Sequence, residues 1–153
     1  MNTTKITSDN EKISESYGEW NDCGVRALAN SCHIPYPQAH NIIKKNGRKQ
    51  GKGSPKFDEL MDTICDKLYY PRKYNDGYHE NNDLPRTIGQ FCKVYKKGRY
   101  ILYTYRHALA VVDGVPRDWT TTKSRHRIIQ FGKIKDEAIR MTNETYEKLK
   151  KEK

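Results

Sequence analysis

The residue best suited to chemistry is Cys23, which follows two short polar residues, Asn21 and Asp22. Asn and Asp favour helix N-caps because their side chains accept a hydrogen bond from a first-turn N–H group. The apolar residues that follow have the spacing of one buried helical face: Val25, Leu28, Ala29 and Cys32. Cys23 lies outside that face, in the first turn, where N–H groups and the helix dipole favour a thiolate. The pattern predicts a nucleophilic thiol at a helix start, although a small buried cysteine is the plainer interpretation.

A nucleophilic thiol needs a base, and the base needs a group that orients it. Of the five histidines, His107 differs because it lies on a predicted strand. If Asp113-Gly114 makes a two-residue hairpin turn, counting outward from the turn places Leu109 opposite Asp118. His107 is then a diagonal neighbour of Asp118 on the same face, with Cβ atoms about 7–8 Å apart, which the two side chains can bridge. The other histidines fall at a helix end, on an exposed helical position or in polar loops: His33, His40, His79 and His126.

The pairing of His107 with Asp118 depends on the turn, because a slip of one residue would move Asp118 to the opposite face. Pro116 cannot donate a ladder hydrogen bond, so the returning strand is expected to be an edge strand or to be bulged. The plainer alternative is a half-buried strand histidine whose only partner is a nearby carboxylate.

The elements that must position these residues are helices first and an antiparallel sheet second, which is an α+β arrangement. Further helices are predicted with Pro37 in the first turn and Gly47 at the end, from Ser54-Pro55 with the stripe Phe57, Leu60, Ile64 and Leu68, and from the Thr87–Gln90 capping box. The predicted strands are 69–74, 99–106, 107–112, 115–119 and 127–134. A charged, exposed helix is expected from Thr142 to Lys153.

Length and composition predict one globular domain over residues 17–153, preceded by a flexible polar arm over residues 1–16. The four cysteines form no C-x-x-C pair, which favours reduced thiols in a cytoplasmic compartment. Neither an apolar signal region at the polar N-terminus nor a membrane span is evident. The net charge of +10 favours anionic partners such as nucleic acid, or simply keeps the protein soluble.

A basic, glycine-rich loop runs from Arg48 to Gly53. It lacks the Walker spacing and does not join a strand to a helix start, so a P-loop is not predicted. Three of its side chains are candidate contacts to nucleic acid or another anion, or a wall of a substrate groove: Arg48, Lys49 and Lys52. A solvated loop is the alternative. No cofactor or metal site is predicted, because Cys32-His33 has no partner pair.

Two motifs carry a resemblance to a known family. The sequence Asn-Asp-Cys-Gly-Val-Arg-Ala-Leu-Ala-Asn over residues 21–30 resembles the nucleophile helix of papain-like cysteine peptidases, and most of all those that trim double-glycine leader peptides. Residues 107–119 resemble their histidine strand, followed by the Asp or Asn position and a Trp. The chain is also similar to small papain-like proteins of bacteriophages, which share the Gly47-Arg48 loop. The resemblance covers about residues 17–134.

The resemblance implies a papain-like fold with Cys23 as nucleophile, His107 as base and Asp118 as the orienting group. The family usually has a Gln shortly before the Cys, which helps to bind the oxyanion, and the six residues before Cys23 contain none. The expected oxyanion donors are the Cys23 backbone N–H and either the Asn21 side chain or the Tyr17 hydroxyl. Removal of one such donor costs on the order of 2.7–4 kcal/mol in the barrier.

The sequence therefore leads to two hypotheses. In the first, the protein is an intracellular cysteine hydrolase that cleaves a peptide or amide bond through an acyl-enzyme on Cys23, with water or another acyl acceptor. In the second, the protein is a papain-like fold reused as a viral binding module for nucleic acid or a host protein, in the host cytoplasm. The absent Gln and the positive charge favour the second hypothesis.

Overall fold

The computed structural model describes residues 16–71, 84–118 and 123–152. The predicted arm, apart from Ser16, lies outside these residues, as do His79 and Trp119. The helices are α1 (Cys23–Cys32), α2 (Tyr36–Lys45), α3 (Phe57–Ile64), α4 (Ile88–Val94), a short 3-10 helix (Asp136–Ala138) and α5 (Asn143–Lys151). The strands are β1 (Cys65–Tyr69), β2 (Arg99–Thr104), β3 (His107–Val112), β4 (Val115–Arg117) and β5 (Ile128–Ile134).

The strands form one five-stranded sheet in the order β1-β5-β2-β3-β4, and every neighbouring pair is antiparallel. The α+β class predicted from the sequence is thus confirmed. Val112 pairs with Val115 across the predicted turn. Asp113 and Gly114 have φ values of 51° and 77°, as a two-residue turn of this kind requires. The prediction that the strand with Pro116 lies at an edge is also confirmed, because β4 is the last strand of the sheet.

Helix α1 is the central element, since it packs against β3 and β2 on one side and α2 on the other. The sequence predicted one buried face, but the structure buries most of the circumference. Beyond the predicted positions, the buried residues include Gly24, Arg26, Ala27 and Ser31. Cys23, the first residue of α1, is half-buried.

The sheet separates two apolar cores, because successive residues of a strand point to opposite faces. Ile101 of β2 belongs to the larger core, which the sheet shares with α1, α2, α3 and α5. Tyr100 and Leu102 belong to the smaller core, which α4 covers. The predicted N-cap of α4 is confirmed, because the Thr87 hydroxyl accepts a hydrogen bond from the Gln90 backbone N–H at 3.2 Å.

Three predicted elements are wrong in their boundaries or exposure. Helix α3 begins at Phe57 rather than at Ser54-Pro55. The chain is a strand from Cys65, so Leu68 lies on β1, because this segment pairs with β5 and tertiary pairing overrides the helical pattern. The predicted strand 69–74 therefore lies mostly beyond the observed one, and residues 72–74 are outside the described part of the chain. Helix α5 is not fully exposed, since it buries Tyr146 and Leu149 in the larger core.

Within the described ranges, none of the helices has the length and the apolar character that crossing a bilayer would require.

Candidate active site

The local backbone places Cys23 as the first residue of α1. Asn21 takes a left-handed conformation, with φ at 59°, which a short polar side chain tolerates better than most. Asp22 occupies the N-cap position but makes no side-chain cap, contrary to the prediction. Its fully buried carboxylate instead accepts a hydrogen bond from the Tyr36 hydroxyl at 2.6 Å and lies 3.3 Å from Arg26 Nε. Asp22 thereby ties α1 to α2 and leaves the first-turn N–H groups at Cys23 uncapped by its side chain.

The residue after the cysteine must be small. A Cβ atom on Gly24 would lie 2.5 Å from the Ser54 hydroxyl oxygen and 3.3 Å from the Phe57 ring. Real Cβ contacts do not reach the first of these distances, so any larger residue would force the 54–57 segment away from the helix start. Gly24 therefore lets this segment close over α1 beside Cys23.

His107 and Asp118 meet as the hairpin count predicted. His107 is the first residue of β3, and Asp118 directly follows β4. The distance between His107 Nε2 and Asp118 Oδ2 is 2.5 Å. The Asp118 side chain is 1% exposed and that of His107 is 16% exposed, so the carboxylate is enclosed and the imidazole reaches the surface.

A further interaction joins the two halves of the candidate site, because the Cys23 side chain is one of the groups that raise the pKa of His107. Since Nε2 faces Asp118, Nδ1 is the ring nitrogen left for the thiol. Cys23 begins a helix and His107 begins a strand. The two residues thus meet although they are 84 positions apart in the chain (107 minus 23).

The surroundings favour the charged form of His107. Burial alone would lower the pKa of the imidazole, but hydrogen bonds and charge interactions with Asp118 and Cys23 outweigh it and raise the pKa to about 9. At neutral pH the imidazole is therefore protonated. An imidazolium in contact with the sulfur stabilises a thiolate, which is the reactive form of cysteine.

The other three cysteines are buried and lie away from the surface: Cys32, Cys65 and Cys92. Burial raises the pKa of Cys32 to about 12 and also raises that of Cys65. Neither thiol is therefore activated. Among the four, Cys23 is the thiol with both an exposed fraction and a cationic partner.

Several aromatic residues lie close to the candidate site in space or in sequence. Tyr103 packs its ring 5.9 Å from the ring of Phe57, and burial, together with the negative charges of Asp58 and Cys23, raises the pKa of Tyr103. Two exposed aromatic residues lie close to Cys23 and His107 in the sequence. Trp20, three residues before Cys23, is 64% exposed, and Tyr105, two residues before His107, is 74% exposed.

The two side chains predicted as oxyanion donors have partners of their own. The Asn21 side-chain amide donates to the Gly51 carbonyl at 3.4 Å. The Tyr17 ring packs against the rings of Tyr36 and His40, with centroids 5.5 and 5.0 Å away. The backbone N–H of Cys23 lies in the first turn of α1, where N–H groups have no acceptor within the helix.

A buried ion cluster that sequence reasoning missed lies just upstream of Cys23. Glu19 accepts hydrogen bonds from both terminal nitrogens of Arg48, at 2.8 and 3.1 Å, and from the Gly51 backbone at 3.1 Å. His40 Nε2 lies 2.5 Å from the same carboxylate, so this histidine is not on the exposed face expected for it. Burial would raise the pKa of Glu19, but these partners lower it to about 2. No local pattern signals the cluster, because the partners of Glu19 are 21 to 32 positions away from it in the chain.

The predicted anion contact at Arg48 is therefore wrong. Arg48 is 5% exposed and its guanidinium is occupied by Glu19 and by the carbonyls of Lys52 and Trp20. Lys49 and Lys52, the other two predicted contacts, are exposed on the same loop. The arginine holds the loop against the segment that leads into Cys23.

In the described part of the chain, no group of three or more His, Cys, Asp and Glu side chains is arranged to hold a metal ion. Comparisons with family models, curated proteins and solved structures found no match to this chain. What can be said about function therefore follows from the geometry of Cys23, His107 and Asp118.

Proposed function

We propose that the protein is a papain-like cysteine hydrolase that cleaves a peptide or amide bond through an acyl-enzyme on Cys23. The single observation that supports this proposal most is that His107 interacts with both Cys23 and Asp118 at the N-terminus of α1. A nucleophile, a base and an orienting carboxylate in contact are the general requirement for acyl transfer.

In the resting enzyme, His107 is an imidazolium beside the Cys23 side chain. The pKa of His107, about 9, supports this pairing at neutral pH. Asp118 has two roles: it stabilises the positive ring, and its bond to Nε2 fixes the orientation that presents Nδ1 to the sulfur.

Acylation begins when the Cys23 sulfur attacks the carbonyl carbon of the substrate and the carbonyl oxygen becomes an oxyanion. The Cys23 backbone N–H, at the positive end of the helix dipole, donates to that oxygen. The tetrahedral intermediate then collapses: the C–N bond breaks, His107 gives its Nδ1 proton to the leaving amine, and a thioester remains on Cys23.

Deacylation reverses the role of the imidazole. Neutral His107 removes a proton from water, the resulting hydroxide attacks the thioester, and the C–S bond breaks to release the carboxylic acid. The proton stays on the ring, so the thiolate–imidazolium pair is regenerated. An amine acceptor in place of water would make the same site an acyl transferase.

The exposed rings of Trp20 and Tyr105 supply apolar contact area close in sequence to Cys23 and His107. Tyr and Trp offer large contact areas at low conformational cost, which suits recognition of extended chains. We infer that the substrate is a peptide that lies across these two rings, with the scissile bond over Cys23.

The first test is alkylation of the folded protein by iodoacetamide at pH 6.5, followed by mass spectrometry of the intact chain and of its peptides. A free cysteine is about 1% ionised at this pH, so a thiolate pair reacts far faster. We expect one rapid modification, at Cys23, which is slowed in His107→Ala and unchanged in the control variant His126→Ala, whose histidine lies in an exposed loop. Reaction of Cys23 at the rate of a free thiol in the wild type would contradict the proposal.

The second test asks for turnover. The wild type and Cys23→Ala are incubated with a peptide library, and new amino termini are identified by mass spectrometry. We expect new termini with the wild type alone. Rapid alkylation without any cleavage or amine transfer would mean that the reactive thiol serves another reaction class.

The binding module remains as the second candidate, supported by the exposed Lys49 and Lys52 on the loop that Arg48 holds and by the net charge of +10. It predicts salt-dependent binding to mixed-sequence DNA or RNA that Cys23→Ala retains and Lys49→Gln weakens. Absence of binding at low salt would exclude the nucleic-acid form of this candidate.

A further inference from the structure

A cleft with a volume of about 600 Å³ lies at the opposite end of α1 from Cys23. It is lined by Ala29, Asn30, His33, Ile34, Pro35, Arg99, Val112 and Arg117. Since α1 has ten residues, the cleft and the sulfur are about 15 Å apart along the helix axis. The volume lies within the range of sites that enclose a small organic ligand. None of the lining residues is acidic.

The pairing of the strands explains why two arginines meet here. Arg99 is opposite Val112 in the β2–β3 pair, and Arg117 is opposite Ala110 in the β3–β4 pair. Residues two apart on a strand share a face, so Arg99, Val112 and Arg117 all face the side of the sheet on which α1 packs. The exposed residue Arg140 adds a third guanidinium close enough to act on Arg99.

Arg99 has a structural role that uses only some of the hydrogen-bond donors on its guanidinium. Its Nη1 donates to the carbonyl of Asn30 at 2.8 Å and to that of Ser31 at 3.5 Å. These are carbonyls of the last turn of α1, so the arginine offsets the negative end of the helix dipole. Among the described residues, Arg99 Nε and Nη2 have no hydrogen-bond acceptor, although the side chain is half-buried.

The charged side chains that act on Arg99 include two arginines, Arg117 and Arg140, and one carboxylate, Asp113. Asp113 is the carboxylate that acts on Arg99, and its Oδ1 accepts a hydrogen bond from the Gly98 backbone at 2.9 Å. Burial, Arg117 and Arg140 together lower the pKa of Arg99, because one guanidinium disfavours charge on another. Arginines held near one another in this way are stabilised when a dianion lies between them.

We propose that this cleft is a second binding site, for a small ligand that joins a phosphate monoester to an apolar or aromatic group. The phosphate would bind Arg99 and Arg117, which supply the planar forks of donors that phosphate oxygens accept. A phosphate monoester carries close to two negative charges at neutral pH, which matches more than one arginine. The apolar part of the ligand would lie on Ala29, Ile34, Pro35 and Val112.

The test is calorimetric titration of the full chain with four compounds: adenosine 5′-monophosphate, phenyl phosphate, adenosine and inorganic phosphate. We expect the two monoesters to bind more tightly than adenosine and than inorganic phosphate. Arg99→Gln and Arg117→Gln should each weaken that binding by about tenfold or more, the effect of a lost charge-assisted hydrogen bond. The matched control is Arg125→Gln, which removes one exposed arginine elsewhere.

Arg117→Gln decides the matter if Arg99→Gln fails to fold, because Arg99 also caps α1. Several results would overturn the proposal. These are equal binding of inorganic phosphate and the monoesters, equal weakening by Arg125→Gln, no binding of either monoester, and tighter binding of an oligonucleotide that depends on Lys49 and Lys52. Cys23→Ala should bind the monoesters as the wild type does, since this site does not depend on the proposed hydrolase.

Discussion

Two histidine–carboxylate pairs in the described part of the chain have the same separation. His107 Nε2 lies 2.5 Å from Asp118, and His40 Nε2 lies 2.5 Å from Glu19. In both pairs the carboxylate side chain is at most 1% exposed and the imidazole is exposed by 16 or 19%. By distance and burial alone the two pairs are equivalent.

The pairs differ in their third partner. The carboxylate of Glu19 is shared with the guanidinium of Arg48 and the Gly51 backbone, so its acceptor sites are taken up inside the protein. The imidazole of His107 instead contacts a thiol that reaches the surface. In the Glu19 cluster, Arg48 occupies the carboxylate, and the cluster holds chain segments together. In the Asp118 pair, His107 lies beside a nucleophile that solvent reaches.

The comparison teaches that a histidine with a carboxylate is not by itself an indication of catalysis. The distinguishing feature is a reactive group on the free ring nitrogen, together with access from solvent. The Glu19 cluster also has a use for the other pair, because Arg48 bonds the Trp20 carbonyl and so holds the segment that enters α1.

The largest difference between the two pairs should appear in turnover. We expect His107→Ala to lower the rate of peptide cleavage by about 10²–10⁴-fold, the usual contribution of a general acid–base group. His40→Ala should leave the rate within a few-fold, because His40 contacts no reacting atom. Initial rates on a peptide identified from the library measure both effects. Equal losses in the two variants would remove the contrast.

For the free energy of unfolding, the Glu19 cluster should matter more than the His107 pair. Glu19→Gln leaves Arg48 buried without its carboxylate, and breaking a buried ion pair in this way costs about 3–5 kcal/mol of unfolding free energy. Urea titration followed by circular dichroism measures the change, with Lys49→Gln as an exposed control expected within about 0.5 kcal/mol. If folded Glu19→Gln loses the rapid alkylation of Cys23, the two clusters act as one site.

A smaller effect is expected from the glycine that lets the chain close beside Cys23. Gly24→Ala should cost about 1–3 kcal/mol, because the new methyl group meets the Ser54 hydroxyl and the Phe57 ring. Gly53→Ala is the matched control, since a Cβ atom there meets nothing within 4 Å and its φ is not in the left-handed region. Equal urea midpoints for the two variants would show that the 54–57 segment is not held tightly.

The contributions of the two pairs to stability should change with pH in opposite directions. The pKa of His107 is raised from 6.5 to about 9, so its contribution to stability is complete below 6.5 and is lost as the pH rises through 9. The pKa of Glu19 is lowered from 4.5 to about 2, so its contribution is complete above 4.5 and is lost as the pH falls through 2.

Asp118→Asn should therefore lower the NMR titration midpoint of His107 toward that of an ordinary histidine, with the exposed His126 as the internal reference. An unchanged midpoint in this variant would mean that Asp118 does not set the charge of the ring. Unfolding free energies measured from pH 6 to 10 should decline in the wild type and change less in the variant.

Part of the candidate site could be predicted from the sequence, because it depends on local rules. A two-residue turn at Asp113-Gly114 sets the register of the hairpin, and that register places Asp118 beside His107. The helix start at Cys23 was predicted from the short polar residues before it and the spacing of the apolar residues after it. The papain-like resemblance joins the two motifs in one proposal, and the contact between Cys23 and His107 supports it.

The remainder depended on contacts between residues far apart in the chain. The burial of Arg48 against Glu19, the strand that begins at Cys65 and the burial of α5 all arise from partners that no neighbouring residue indicates. What the sequence by itself determined is the α+β class and the hairpin that carries His107 and Asp118, since turn chemistry and residue periodicity act over a few positions. Only the tertiary structure brings His107, predicted as the base, to the thiol, because that contact is made by the packing of α1 on the sheet.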